Sequence, residues 1–141
     1  MPALDTSTDL GAHVAARLER ESLIWLTTVG ADGTPQPTLV WFLWTGSELV
    51  VRSRPDKPKL RNIARNPRVA LNLESNEEGN DVAVLTGAAR VDPVEMAAGE
   101  HDAFHRKYAD GIDRLGSTYA TFADDYSVTV RITPEKLRGW K

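Results

Sequence analysis

Five basic side chains and one acid fall within residues 52–61, Arg-Ser-Arg-Pro-Asp-Lys-Pro-Lys-Leu-Arg, in a chain whose formal net charge is -3. Cations gathered against the overall charge suit an anion, and a phosphate group is the natural guest. The stretch leaves a strand-like segment at residues 49–53 and enters a short helix beginning near Pro58, so helix-terminal N–H groups would reinforce the charge. Lys and Arg contacts with a Ser hydroxyl would each contribute roughly 1.5–3 kcal/mol when sheltered from water. A solvated basic turn has the same composition and remains the competing reading.

Other chemistry-bearing residues are sparse. His101 and His105 have the i, i+4 spacing of a metal pair on a helix, but Asp102 stands where the zinc-protease motif has glutamate, and a third ligand is not identifiable. No metal site is expected. The chain has no cysteine, which excludes disulfides and thiolate chemistry and suits a reducing cytoplasm. Tyr119, Tyr126 and Ser127 are conceivable acids or orienters, with packing or surface roles expected. No catalytic residue is assigned.

The elements that must position the basic loop are legible from periodicity. Thr8 or Asp9 caps a first helix with Leu10, Val14 and Leu18 on one face, ending near Glu21. Residues 23–29 read as a strand, Ala31-Asp32-Gly33-Thr34-Pro35 as a hairpin turn, and residues 36–44 as an uncharged second arm covered on both faces. A third strand over 48–53 completes a meander. A helix from Pro58 is stopped by Asn66-Pro67, and strands follow at 68–74 and 81–92, the latter bent at Gly87. Residues 93–108 read as a helix, a looser polar stretch runs to 125, and residues 126–133 form a sixth strand.

Six mostly antiparallel strands and three helices in 141 residues with 41% hydrophobic content predict one mainly β (α+β) domain over residues 1–141. The expected architecture is a closed or partly closed barrel. Residues 1–21 form its N-terminal helix and residues 93–125 a helical insertion before the last strand. Trp41 and Trp44, three apart, should face opposite ways; one face is then expected to meet a subunit interface, with ordinary core packing beneath the helices as the alternative. No apolar run approaches the roughly 18–20 residues of a membrane span, so a cytoplasmic protein is expected. The acidic balance and the absence of aromatic residues from 52 to 68 argue against a nucleic-acid surface.

The ordered combination Leu23-Ile-Trp-Leu-Thr-Thr-Val, Asp32-Gly-Thr-Pro-Gln-Pro, Leu39-Val-Trp-Phe, the basic loop, and Lys59-Leu-Arg-Asn-Ile-Ala-Arg-Asn-Pro-Arg resembles the pyridoxamine phosphate oxidase-like split β-barrels. More narrowly it is similar to their actinobacterial flavin- and deazaflavin-dependent oxidoreductase branch. The resemblance implies an FMN-binding split-barrel fold and a homodimer with two cofactor clefts at the subunit interface. It implies that the backbone at Thr38, Leu39, Val40 and Trp41 runs beside a flavin ring. It places the cofactor phosphate on Arg52, Ser53, Lys57 and Lys59, while Arg54 and Arg61 either join them or face solvent or the partner. The C-terminal Arg138-Gly139-Trp140 either caps the partner's cleft or docks on its own domain.

One departure bears on activity. Residues 36–44 contain no Arg or Lys, whereas the oxidases proper carry basic residues about this strand, so oxidation of pyridoxamine phosphate is not expected. The pattern is closer to a site for the deazaflavin coenzyme F420, with FMN as the competing occupant. The implied activity is hydride transfer to a small or apolar unsaturated acceptor, in which the cofactor carries the difficult chemistry. A cofactor-binding protein of the same fold without turnover is the other reading, and a nucleic-acid-binding barrel the third.

Overall fold

The computed structural model describes residues 3–141. Among these, seven strands and four helices alternate as α1 (Asp9–Arg20), β1 (Ile24–Val29), β2 (Pro35–Val40), β3 (Leu43–Trp44), β4 (Leu49–Ser53), α2 (Pro58–Arg65), β5 (Arg68–Asn72), β6 (Val82–Asp92), α3 (Ala98–Arg114), α4 (Tyr119–Asp125) and β7 (Val128–Trp140). Local signals start and stop them as expected. The Thr8 hydroxyl caps α1 by accepting from the Gly11 N–H, Gly33 turns the β1–β2 hairpin at φ 86°, and Pro58 opens α2.

The strands form one antiparallel sheet in the order β2-β1-β5-β6-β7-β4-β3. Its two ends, β2 and β3, are consecutive in the chain, separated only by Trp41 and Phe42. Three Cα steps reach at most about 11 Å. The sheet must therefore curl until its edges nearly meet, giving a barrel split between Val40 and Leu43. Seven strands rather than six result because the expected second arm, residues 36–44, breaks here.

The break separates two environments. Val40, Phe42 and Trp44 enter the barrel core with Leu26, Leu49 and Leu71, while Leu43 joins an outer cluster of Val50, Phe104, Tyr108, Ile112 and Phe122 against which Trp41 packs. The two tryptophans thus do face opposite ways, but the Trp41 face is covered by α3 and α4 of this chain, through Tyr108 and Phe122, and not left for a subunit interface. Coverage on both faces, expected for the whole arm, holds for β4, all five residues of which are buried, and begins in the arm only near Val40; Pro35 to Leu39 are exposed. β2 pairs only with β1 and keeps a free edge, with Pro35 and Pro37 on it, as suits an edge strand.

The later elements are longer than periodicity suggested. The helix expected over 93–108 begins at Ala98 and runs to Arg114, the polar stretch contains α4, and β7 continues beyond 133 to Trp140. Its extension pairs with β6 across a register shift between Thr86 and Gly87, where a Cβ would lie 2.1 Å from the Thr133 carbonyl oxygen. Glycine is required at that bend. Arg138 and Gly139 pair with Val84 and Ala83, and the Trp140 indole N–H donates to the Gly79 carbonyl at 2.7 Å, so the C-terminus docks on its own sheet.

At the split, Phe42 lies outside the sheet ladder with a buried backbone, and α3 supplies its partners. The Phe42 N–H donates to the Tyr108 hydroxyl oxygen at 2.8 Å, and its carbonyl accepts from Lys107 Nζ at 2.8 Å. The Tyr108 hydroxyl in turn lies within donating distance of the Ser22 carbonyl at 2.8 Å and the Phe42 carbonyl at 2.9 Å. Burial drives the Tyr108 phenol well above its ordinary range and pulls Lys107 from 10.5 down to about 8.

Tyr108→Phe strands the buried Phe42 N–H and should cost about 1–3 kcal/mol in urea unfolding; a loss below about 0.5 kcal/mol, no more than an ordinary surface change, would remove the phenol from this role. Lys107 has its own signature. Between pH 8 and 10.5 the folded chain has released the Lys107 proton while the unfolded chain keeps it, so its contribution to stability increases as pH rises through that window. Lys107→Met should flatten the rise by up to about 3 kcal/mol relative to the wild type. Parallel stability curves for the two proteins between these pH values would contradict the assignment.

Candidate functional site

Two cavities meet along β2. The first, about 210 Å³, is lined by Leu39, Val40, Trp41, Arg52 and Lys59 together with Leu115, Phe122 and Tyr126. The second, about 240 Å³, is lined by Thr28, Gln36, Thr38, Lys57, Lys59 and Asn62 beside the start of α2. Lys59 belongs to both, so one groove runs from Trp41 along the edge strand to the α2 N-terminus. Of the sequence-derived candidates, Thr38, Leu39, Val40, Trp41, Arg52, Lys57 and Lys59 line it. Ser53 does not: it is 1% exposed and its hydroxyl donates to the Arg54 carbonyl at 2.8 Å.

The basic loop separates into distinct groups. Lys57 and Lys59 make no ion pair within 4 Å among the described residues, and burial, then the neighbouring Lys57 charge, lowers the Lys59 pKa. Two unneutralised ammonium groups that repel one another beside a helix N-terminus fit a phosphate, which would relieve both. Asp56 turns the loop at φ 66°, a left-handed conformation that Asp tolerates, and its carbonyl accepts from Arg61 Nη1 at 3.1 Å. Arg61 is thereby tied to the loop.

Arg52 differs from the lysines. It is buried, and its Nη1 donates to Glu95 Oε1 at 2.7 Å and Thr129 Oγ1 at 2.8 Å, while Nη2 donates to the Ala123 carbonyl at 3.0 Å. Its Nε is the one buried side-chain polar atom without a partner among the described residues. Arg52 therefore lines the Trp41 end of the groove beside Lys59, with its guanidinium drawn inward onto protein acceptors. The Glu95 carboxylate also meets His101 Nε2 at 3.2 Å, and His101 Nδ1 lies 2.6 Å from the Tyr119 hydroxyl, over whose ring His105 stacks at 4.7 Å. The histidine pair serves this network; no group of three His, Cys, Asp or Glu side chains able to hold a metal occurs among the described residues.

Several groove residues escaped the sequence reading. Asn62 is buried on α2, donating from Nδ2 to Thr28 Oγ1 at 3.0 Å and Gln36 Oε1 at 2.7 Å and accepting from Arg65 Nη2 at 2.7 Å. It floors the lysine end, and its place three residues after Lys59 within the quoted motif was the available signal. Phe122 comes from α4 and Tyr126 is its C-cap, the latter named from sequence only as a conceivable acid or orienter; the Thr118 cap and aromatic residues at three- and four-residue spacing signalled the helix. Phe122 lies 5.5 Å from Trp41, which in turn stacks on Tyr108 at 4.4 Å and 8°. Gly111 leaves room for that indole, since a Cβ there would sit 3.1 Å from its Cη2.

The groove can therefore offer two cations to an anionic tail, a free strand edge of N–H and C=O groups to a heterocycle, and a rigid aromatic wall to a planar ring. No curated protein matches this chain. Solved structures do, over most of their length. A candidate pyridoxamine 5'-phosphate oxidase from Listeria innocua is 24% identical, with 90% of this chain and 94% of that one covered at a TM-score of 0.68. An F420 reductase is 27% identical over 87% and 94% at 0.64. The haem storage protein HutZ from Vibrio cholerae is 18% identical over 94% and 95% at 0.64, a likeness of fold alone. The family description "Pyridoxamine 5'-phosphate oxidase" matches residues 10–141. With a barrel split at Val40 and a groove along the broken strand, the chain belongs to the pyridoxamine 5'-phosphate oxidase-like split-barrel family.

Proposed function

We propose that the groove binds a phosphorylated deazaflavin, coenzyme F420, and that the protein is an oxidoreductase acting on a small or apolar unsaturated acceptor, with FMN as the alternative cofactor. The observation that carries this reading is the division of the groove into an unneutralised dilysine end and an aromatic-walled strand-edge end, joined at Lys59, whose other cation, Arg52, is already paired with Glu95. The 27% identity to an F420 reductase supports the choice of cofactor. So does the absence of Arg and Lys between Gln36 and Trp44, which disfavours pyridoxamine phosphate as substrate.

When bound, the reduced ring supplies a hydride to an activated alkene or imine. The chain's residues bind, orient and shield. Lys57 and Lys59 would hold the phosphate, the backbone from Thr38 to Trp41 would offer hydrogen bonds to the ring, and Trp41, braced by Tyr108, would offer it an aromatic wall. The exposed faces of Gln36 to Leu39, with Leu39 42% and Leu23 41% exposed, are the surface a second copy would cover in a homodimer with the groove at its interface.

Titration with oxidised and reduced coenzyme F420 and with FMN, followed by tryptophan quenching, tests the reading. Binding of one of them tighter than about 100 μM is expected, and failure of both at that level refutes it. Lys59→Ala should weaken the successful ligand about 10–100-fold, the loss of one charge-assisted contact. Unchanged affinity would displace the anion site from Lys59. Sedimentation of the purified protein should give twice the chain mass, and Leu39→Asp should shift it toward monomer; a wild-type monomer would remove the interface.

A further inference from the structure

Beyond the groove lies a wider cavity of about 410 Å³ that shares Leu115, Phe122 and Tyr126 with the Trp41 end and adds Arg54, Ser117 and Asp125. We propose that this cavity is the acceptor subsite, and that it takes a planar conjugated carboxylate. As an acceptor site it rests on the cofactor reading above; as a binding site for such an acid it stands on its own geometry.

The shape follows from α4. Trp41, Phe122 and Tyr126 form a continuous aromatic wall with centroid steps of 5.5 and 4.8 Å, leading from the groove into the cavity. Leu115 lines both spaces yet is 66% exposed, placed at the end of α3 where Gly116 turns the chain at φ 70°. A flat unsaturated molecule would lie between this leucine and the wall, burying apolar area on both faces. Its edge would then adjoin whatever lies against Trp41.

The charge follows from Arg54. Its guanidinium sits over the Tyr126 ring, 4.8 Å from the centroid, and makes no ion pair within 4 Å among the described residues. Asp125 lines the same cavity and helps keep Arg54 protonated, after the larger effect of Tyr126. Arg54 is the one cation among the described residues lining this cavity, and so the group there that would pair with a carboxylate. Lys57 lies in the cavity at the opposite end of the groove, beyond Lys59, so the tail and the acceptor would not compete for one cation.

The test uses 2-naphthoate as probe and 2-naphthylmethanol as its neutral counterpart, with tryptophan quenching as readout. Wild-type protein should bind the acid about tenfold or more tighter than the alcohol, and Arg54→Gln should erase that preference. Leu115→Asp, also at an exposed position, should weaken the acid more than tenfold by setting a like charge in the wall. Equal binding of acid and alcohol, or undiminished naphthoate binding by Arg54→Gln, overturns the subsite. The same proteins titrated with coenzyme F420 and FMN separate the two proposals. Arg54→Gln that keeps the cofactor and loses naphthoate supports the subsite; loss of cofactor with naphthoate retained assigns Arg54 to the cofactor tail and overturns it. Naphthoate binding in a wild type that takes neither cofactor supports the site and refutes the cofactor reading on which its acceptor role rests.

Discussion

The backbone of Phe42 is the point on which the groove depends. A strand that leaves one edge of a curled sheet and rejoins at the other must pass a residue whose N–H and C=O have no ladder partner, and a buried unpaired peptide group costs on the order of 1–3 kcal/mol. Two consecutive side chains of α3 meet that demand, Tyr108 for the N–H and Lys107 for the C=O. The same tyrosine ring carries Trp41 in a near-parallel stack. One helix thus closes the barrel, keeps the split from annealing into a regular strand, and fixes the wall of the site.

That arrangement explains why the site lies where charge alone would not have put all of it. The basic loop is divided by the surfaces it crosses. Arg52 is drawn inward to Glu95, Thr129 and the Ala123 carbonyl, Lys57 and Lys59 remain unneutralised at the α2 N-terminus, and Arg54 swings to the Tyr126 ring. With Arg61 tied to the Asp56 carbonyl, five cations in ten residues become four environments, of which the dilysine end has the character of an anion site. Another charged cluster fastens α3 to the sheet, where Arg131 of β7 grips Glu100 of α3 in a bidentate pair and Asp92 of β6 beside it.

Much of this was legible in the sequence wherever a local signal decides the structure. The α1 cap, the Asp32-Gly33 turn, Pro58 at the head of α2 and the bend at Gly87 are set by side chains or by their absence, and they stand where periodicity placed them. What was not legible depends on partners distant in the chain. Nothing within residues 36–44 signals a break after Val40, because Tyr108 and Lys107 satisfy it from 66 and 65 positions away. Arg52 looked free for phosphate because Glu95 and Thr129 meet it only in the fold. The aromatic wall was missed because α4 is short and polar apart from the residues that build it.

The central claim is that a phosphorylated planar cofactor lies along β2 with its anion at the dilysine end. Backbone amide chemical-shift mapping during titration with coenzyme F420, and separately with FMN, reads this directly. The account predicts saturable shifts concentrated at Thr38 to Trp41 and at Lys57, Lys59 and Asn62, with the amides around Trp44 and Arg106, outside the groove, left in place. Saturation accompanied by shifts at those outer positions, with the β2 edge and the two lysines unmoved, would contradict it.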